Sequence, residues 1–143
     1  MQDPRVRRVI AVFQTLSPAE VARLDRLYAI DARFKDPFNE VQGLPAIQRI
    51  FEHMFATLGE PRFKILDALV QGYRTFLSWD LHARLDGGRG KALTIHGATL
   101  LHFGPDGRIV LHRDYWDAAE ELYEKLPLRG RLMRGLKRRA RAG

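Results

Sequence analysis

The stretch Arg108–Asp117, RIVLHRDYWD, decides the reading of this chain. It reads as a strand that runs directly into a helix start. Side chains alternate faces along a strand. Val110, His112, Asp114 and Trp116 are therefore expected on one face, and Ile109, Leu111, Arg113 and Tyr115 on the other. The first face sets an imidazole, an acid and an indole side by side on an otherwise apolar strand. A carboxylate there is unfavourable for β structure and needs a partner or a purpose. His112, two residues from Asp114, reads either as a satisfied core histidine or as a proton carrier near neutral pH.

Upstream of this strand the period is again that of strands. They are expected at about residues 62–71, 75–85 and 91–103, with the last at 108–116. The links between them are Gly72-Tyr73, Asp86-Gly87-Gly88-Arg89-Gly90 and Gly104-Pro105-Asp106-Gly107. Links so short make an antiparallel meander. Further upstream the period is helical. Asp3-Pro4 caps a helix with the stripe Val6, Val9, Ile10 and Phe13. Ser17-Pro18-Ala19-Glu20 is a capping box, and the helix it opens is expected to bury Val21, Leu24, Leu27 and Tyr28. A short strand is expected at 32–35, since Asp36-Pro37 cannot continue a helix. Pro45 then opens a helix with Ile47, Ile50, Phe51, Met54, Phe55 and Leu58 on one face. Asp117 caps a final helix. Helices first and strands after them predict an α+β fold, a cone-shaped curved antiparallel sheet with N-terminal helices over its concave face.

The length of 143 residues suits one domain with a sizeable core. No cysteine is present, which excludes disulfides, thiolate metal sites and cysteine nucleophiles. The net charge of +7 is a property of one end of the chain. Residues 128–143 hold seven of the 24 Lys and Arg and no acid, so residues 1–127 are neutral. This divides the chain into a domain at 1–127 and a basic amphipathic tail at 128–143, with Leu128, Leu132, Met133 and Leu136 as its apolar stripe. The tail reads as a docked terminal helix, or as one drawn to an anionic membrane or an acidic partner. It has no interleaved aromatics, so specific nucleic-acid binding is not expected. No segment has signal-peptide or membrane-span character, so a cytoplasmic location is expected.

The element order, with FKDPF at residues 34–38 before the third helix and GRIVLHRDYWD at 107–117 as the last strand, resembles the nuclear transport factor 2-like superfamily, and within it the SnoaL-like proteins. The resemblance covers residues 3–126. It implies a cavity, and a fold that serves isomerases, cyclases, dehydratases, epoxide hydrolases and binders without catalysis. In ketosteroid isomerases the Asp of the matching Asp-Pro is the general base, which points to Asp36. Their oxyanion donors would fall near Val12 or Phe13 and on Thr99, so those donors are missing here. In limonene-epoxide-hydrolase-like members the last strand's Asp activates water, which points to Asp114. The Arg and Asp that assist it there correspond to Ser78–His82, which offers Asp80 and His82 and no arginine. SnoaL-like cyclases need a single wall Asp, and Asp114 fits that requirement.

Asp36, Asp114 and His112 are thus the candidate catalytic residues. Phe34 and Phe38 flank Asp36 and would desolvate it, while an Asx turn before Pro37 is its structural alternative. The expected pocket wall adds Tyr28, Phe55, Asp80, His82, Thr99 and Trp116. Asp80 and His82 are taken as inward-facing, which leaves Trp79 and Leu81 on the outer face for a sheet-to-sheet homodimer. No metal and no cofactor are expected, since the histidines lack paired spacing and no glycine-rich phosphate loop follows a strand. The function expected is a pocket protein for a small apolar molecule. It would be a cofactor-free isomerase, cyclase or hydrolase working through an Asp acid–base, or else a binding module without catalysis.

Overall fold

The computed structural model describes residues 3–123. The basic tail, 128–143, lies outside the described residues.

Helix α1 (Pro4–Gln14) starts where the Asp3 side chain accepts the Arg5 backbone N–H, with proline in the first turn. The Arg5 guanidinium holds the Asp3 carboxyl down to about 2. Val6, Val9 and Phe13 are its buried stripe. The capping box at Ser17 forms, but α2 (Pro18–Val21) lasts one turn. A 3-10 turn at Leu24–Arg26 follows. Tyr28 then opens strand β1 (Tyr28–Lys35) instead of ending a helix. Tertiary pairing overrides the helical period here: Leu27 accepts the Ile109 N–H at 2.8 Å, drawing the chain into the sheet. After the turn at Asp36, β2 (Glu40–Gln42) pairs back on β1. Helix α3 (Leu44–Thr57) buries Leu44, Ile47, Ile50 and Phe51.

The meander is β3 (Gly59–Gln71), β4 (Arg74–Arg84), β5 (Ala92–Phe103) and β6 (Ile109–Tyr115). The sheet order is β2-β1-β6-β5-β4-β3. It is mixed rather than purely antiparallel, because β1 and β6 run parallel. That pair is joined through α3 and the meander, and it sets Phe34 opposite His112. Past β6 the Asp117 side chain accepts the N–H groups of Ala119 and Glu120, capping a short wide turn at Ala119–Tyr123. Among the described residues, no helix is long and apolar enough to cross a membrane.

The face of β6 differs from simple alternation at one place. Phe103 opposes Ile109 while His102 opposes Leu111, so β6 carries one extra residue there, a bulge. Ile109 is fully buried and Val110 is 36% exposed, the reverse of the alternating assignment. The bulge lets both Ile109 and His112 face the core.

A second correction concerns β4. Thr75, Leu77, Trp79, Leu81 and Ala83 are the buried set, and Ser78, Asp80, His82 and Arg84 alternate with them. Asp80 and His82 therefore lie on the outer face, and Trp79 and Leu81 face inward. The energetic reason is simple: one phase of the strand carries Leu77, Trp79, Leu81 and Ala83, and burying the other would desolvate a carboxylate and an imidazole. On the outer face Asp80 pairs with His96, and His82 with Thr94 at 3.0 Å.

Candidate functional site

A chain of polar side chains crosses the inner face of the sheet. Tyr28 on β1 meets His112 Nδ1 at 2.7 Å, and His112 Nε2 meets Asp114 Oδ1 at 2.7 Å. Thr99 on β5 lies opposite Asp114 in the ladder, and its hydroxyl donates to the same Oδ1 at 2.6 Å. Trp79 on β4 donates its indole N–H to Thr99 Oγ1 at 2.8 Å. Four strands thus supply one connected network.

The hydrogen positions follow from the chemistry of the groups. A carboxylate only accepts, so His112 carries its hydrogen on Nε2 and donates it to Asp114. Nδ1 then accepts the Tyr28 hydroxyl hydrogen. Burial, and then the charge of Asp114, raise the Tyr28 phenol well above its ordinary value, so it remains a donor. His112 is 3% exposed and packs at a tilt against Phe34, with ring centroids 4.5 Å apart. It is held by two side chains, not by the backbone carbonyl usual for a core histidine. Arg33 is exposed and is not the partner of Asp114.

Asp36 sits in its own turn. Its Oδ1 accepts the N–H groups of Phe38 at 2.8 Å and Asn39 at 2.7 Å, and the Asn39 amide reaches both oxygens at 3.2 Å. The Asx turn is therefore real. Burial raises the Asp36 carboxyl above its ordinary value of 3.8; the Phe38 N–H works against this, and the charge of Asp114 adds to it. A raised value in the folded state means that the folded state holds the proton more tightly than the unfolded chain does. Stability should then fall as pH rises from 3.8 through the raised value, and stay lower above it. Asp36→Asn keeps an oxygen for the turn and removes the titration. Urea midpoints across this range should fall with pH in the wild type and lose that part of the fall in the variant.

Phe13, Phe51, Phe63, Ile65, Leu77, Trp79, Thr99, His112 and Asp114 line a cavity of about 20 Å³. That is room for one water molecule, much less than the conical cavity expected from the fold. Of the expected wall, Thr99 lines it directly. Tyr28 and Phe34 stand behind His112. Phe38 packs edge-on against Trp116, with centroids 5.6 Å apart, in the neighbouring cluster around Trp79. Phe55 packs on the core without lining the cavity. Trp79, Phe13, Phe51 and Phe63 were not expected as walls; the in-phase apolar run Leu77-Trp79-Leu81 was the signal for Trp79. Among the described residues, no group of three or more His, Asp and Glu could hold a metal ion.

The model of the SnoaL-like domain matches residues 6–112. The chain belongs to the SnoaL-like family. No curated protein matches it. Solved structures show the same fold. A Catenulispora acidiphila protein with a ketosteroid isomerase-like fold, crystallised with trimethylamine, is 20% identical with a TM-score of 0.73, over 89% of this chain and 96% of that one. An LEH-like epoxide hydrolase of Mycobacterium tuberculosis is 18% identical with a TM-score of 0.66, over 92% of this chain and 89% of that one. A Jannaschia protein named for SnoaL-like polyketide cyclases is 16% identical with a TM-score of 0.69, over 84% of this chain and 92% of that one. Identities this low carry the fold alone.

Proposed function

We propose that this SnoaL-like domain is a cofactor-free acid–base enzyme for a small apolar molecule. Asp114 takes a proton from the carbon beside a carbonyl or from a water molecule, and His112 steadies its charge. Asp36 is a second acid, raised first by burial and further by the charge of Asp114. The observation that carries this reading is the Asp114 carboxylate itself, lining a cavity walled by phenylalanines and held there by Thr99 and His112, with no arginine paired to it among the described residues. Such a setting suits a general base. The epoxide hydrolase and cyclase names among the structural relatives agree with both reaction types.

The test is a panel of small epoxides and enolisable ketones in heavy water, read as diol formation or deuterium uptake at carbon. Asp114→Asn should lower any turnover by about 100-fold or more. Turnover that survives this substitution would reject the assignment. The apolar lining of the cavity also suits a second reading, a binding module without catalysis. A panel without turnover, together with saturable binding of an apolar probe, would select it.

The outer sheet face is the proposed homodimer surface. Its apolar residues are Leu69, Phe76 and Tyr115, not Trp79 and Leu81, and they are 70%, 42% and 43% exposed. The basic segment 128–143 is the proposed contact for an anionic membrane or an acidic partner.

A further inference from the structure

We infer that Thr99, oriented by Trp79, is a positioning residue that occupies one oxygen of Asp114 and leaves Oδ2 as the atom that exchanges the proton. This inference rests on the acid–base reading above and names the atom and the arm that sets it.

An indole N–H can only donate. The Trp79 Nε1 hydrogen therefore points at Thr99 Oγ1, 2.8 Å away, and the hydroxyl accepts there. The hydroxyl hydrogen is then turned toward Asp114 Oδ1 at 2.6 Å, a length typical of a hydroxyl donating to a carboxylate. Left to itself a threonine hydroxyl rotates; here a buried indole fixes it. The indole can lie across β5 because Gly97, its opposite number in the ladder, has no side chain. A Cβ at Gly97 would stand 2.4 Å from Trp79 Cη2.

Oδ1 thus receives two donors, Thr99 and His112 Nε2. Oδ2 makes no hydrogen bond among the described residues. The carboxylate is met by His112 on its own strand and Thr99 from β5, which are backed by Tyr28 from β1 and Trp79 from β4; its charge also reaches Asp36 in the β1–β2 turn. The helices contribute Phe13 and Phe51 to the same cavity. In the step, a substrate C–H or water O–H bond breaks, its electron pair stays on that carbon or oxygen, and the proton forms an O–H bond at Oδ2. Thr99 and His112 keep the remaining oxygen as the fixed acceptor before and after.

The experiment is a carboxyl-carbon NMR pH titration of the full chain, with Asp114→Asn to assign the signal. Thr99→Val removes the donor to the ionised form, so the Asp114 midpoint should rise by about one pH unit. Thr99→Ser restores the hydroxyl and should return the midpoint close to the wild-type position. Trp79→Phe frees the hydroxyl to rotate and should raise the midpoint by a smaller amount. A midpoint unmoved in Thr99→Val, or moved equally by valine and serine, would overturn the arm and leave Thr99 as packing. If Thr99→Val does not fold, Trp79→Phe decides, and an unmoved midpoint there has the same meaning. Failure of the substrate panel would sink the enzyme reading without touching these midpoints. Turnover alongside unmoved midpoints would sink only the arm.

Discussion

Trp79→Ala should destabilise the domain by about 3–5 kcal/mol, the range for deleting a large buried aromatic. The indole is 5% exposed and sits edge-on to Phe63, with centroids 5.5 Å apart. It also joins Leu81, Leu93 and Ile95 in the second core cluster. The space it leaves lies over Gly97, where no neighbouring side chain is rooted to fill it. A vacated apolar space of this kind binds small aromatics. Free indole at millimolar concentration should therefore recover part of the lost thermal stability by mass action. Urea denaturation and thermal scans with and without indole measure both effects. A loss under about 1 kcal/mol would show that the cluster collapses around the gap, against this account of the packing.

His112→Leu has the second large effect, about 2–4 kcal/mol, for a different reason. The imidazole is the acceptor for the Tyr28 hydroxyl and a donor to Asp114. Leucine fills much of the same space against Phe34 but leaves both polar groups short of a partner. Each such buried orphan costs about 1–3 kcal/mol. Removing the hydroxyl as well, in the double variant with Tyr28→Phe, should make the protein more stable than His112→Leu alone. The two single losses should then exceed the loss in the double variant by about 1 kcal/mol or more. Additive losses would show that the Tyr28–His112 bond contributes little.

Much of the fold was legible in residues 3–117. The capping signals at Asp3 and Ser17, the apolar stripe of α3 and the four-strand meander each follow from local periodicity and turn chemistry, and the structure has all of them. What escaped depended on pairing between distant strands. Tyr28 continues a helical stripe in the sequence, yet parallel pairing of β1 with β6 makes it a strand residue. The bulge at Val110 cannot be read from β6 alone, because it is defined by the register against His102 and Phe103. The inversion on β4 was readable: four apolar residues in phase, Leu77, Trp79, Leu81 and Ala83, outweigh the appeal of turning Asp80 and His82 inward. For the site, Asp114 and His112 stood out as polar residues inside a strand. Their partners did not, because Thr99 is an ordinary strand residue and Tyr28 lies 84 positions from His112. The glycine that admits the indole has meaning only once β4 and β5 are paired.

The central claim is that Asp36, buried in its own turn, carries a raised carboxyl that feels the charge of Asp114. A carboxyl-carbon NMR pH titration of Asp36, in the wild type and in Asp114→Asn, tests it most directly. The account requires an Asp36 midpoint above the 3.8 of an ordinary aspartate, and a downward move when the Asp114 charge is removed. An Asp36 midpoint at or below the ordinary value, indifferent to Asp114→Asn, would contradict it. Asp36 would then be a turn residue, separate from the site that Asp114 occupies.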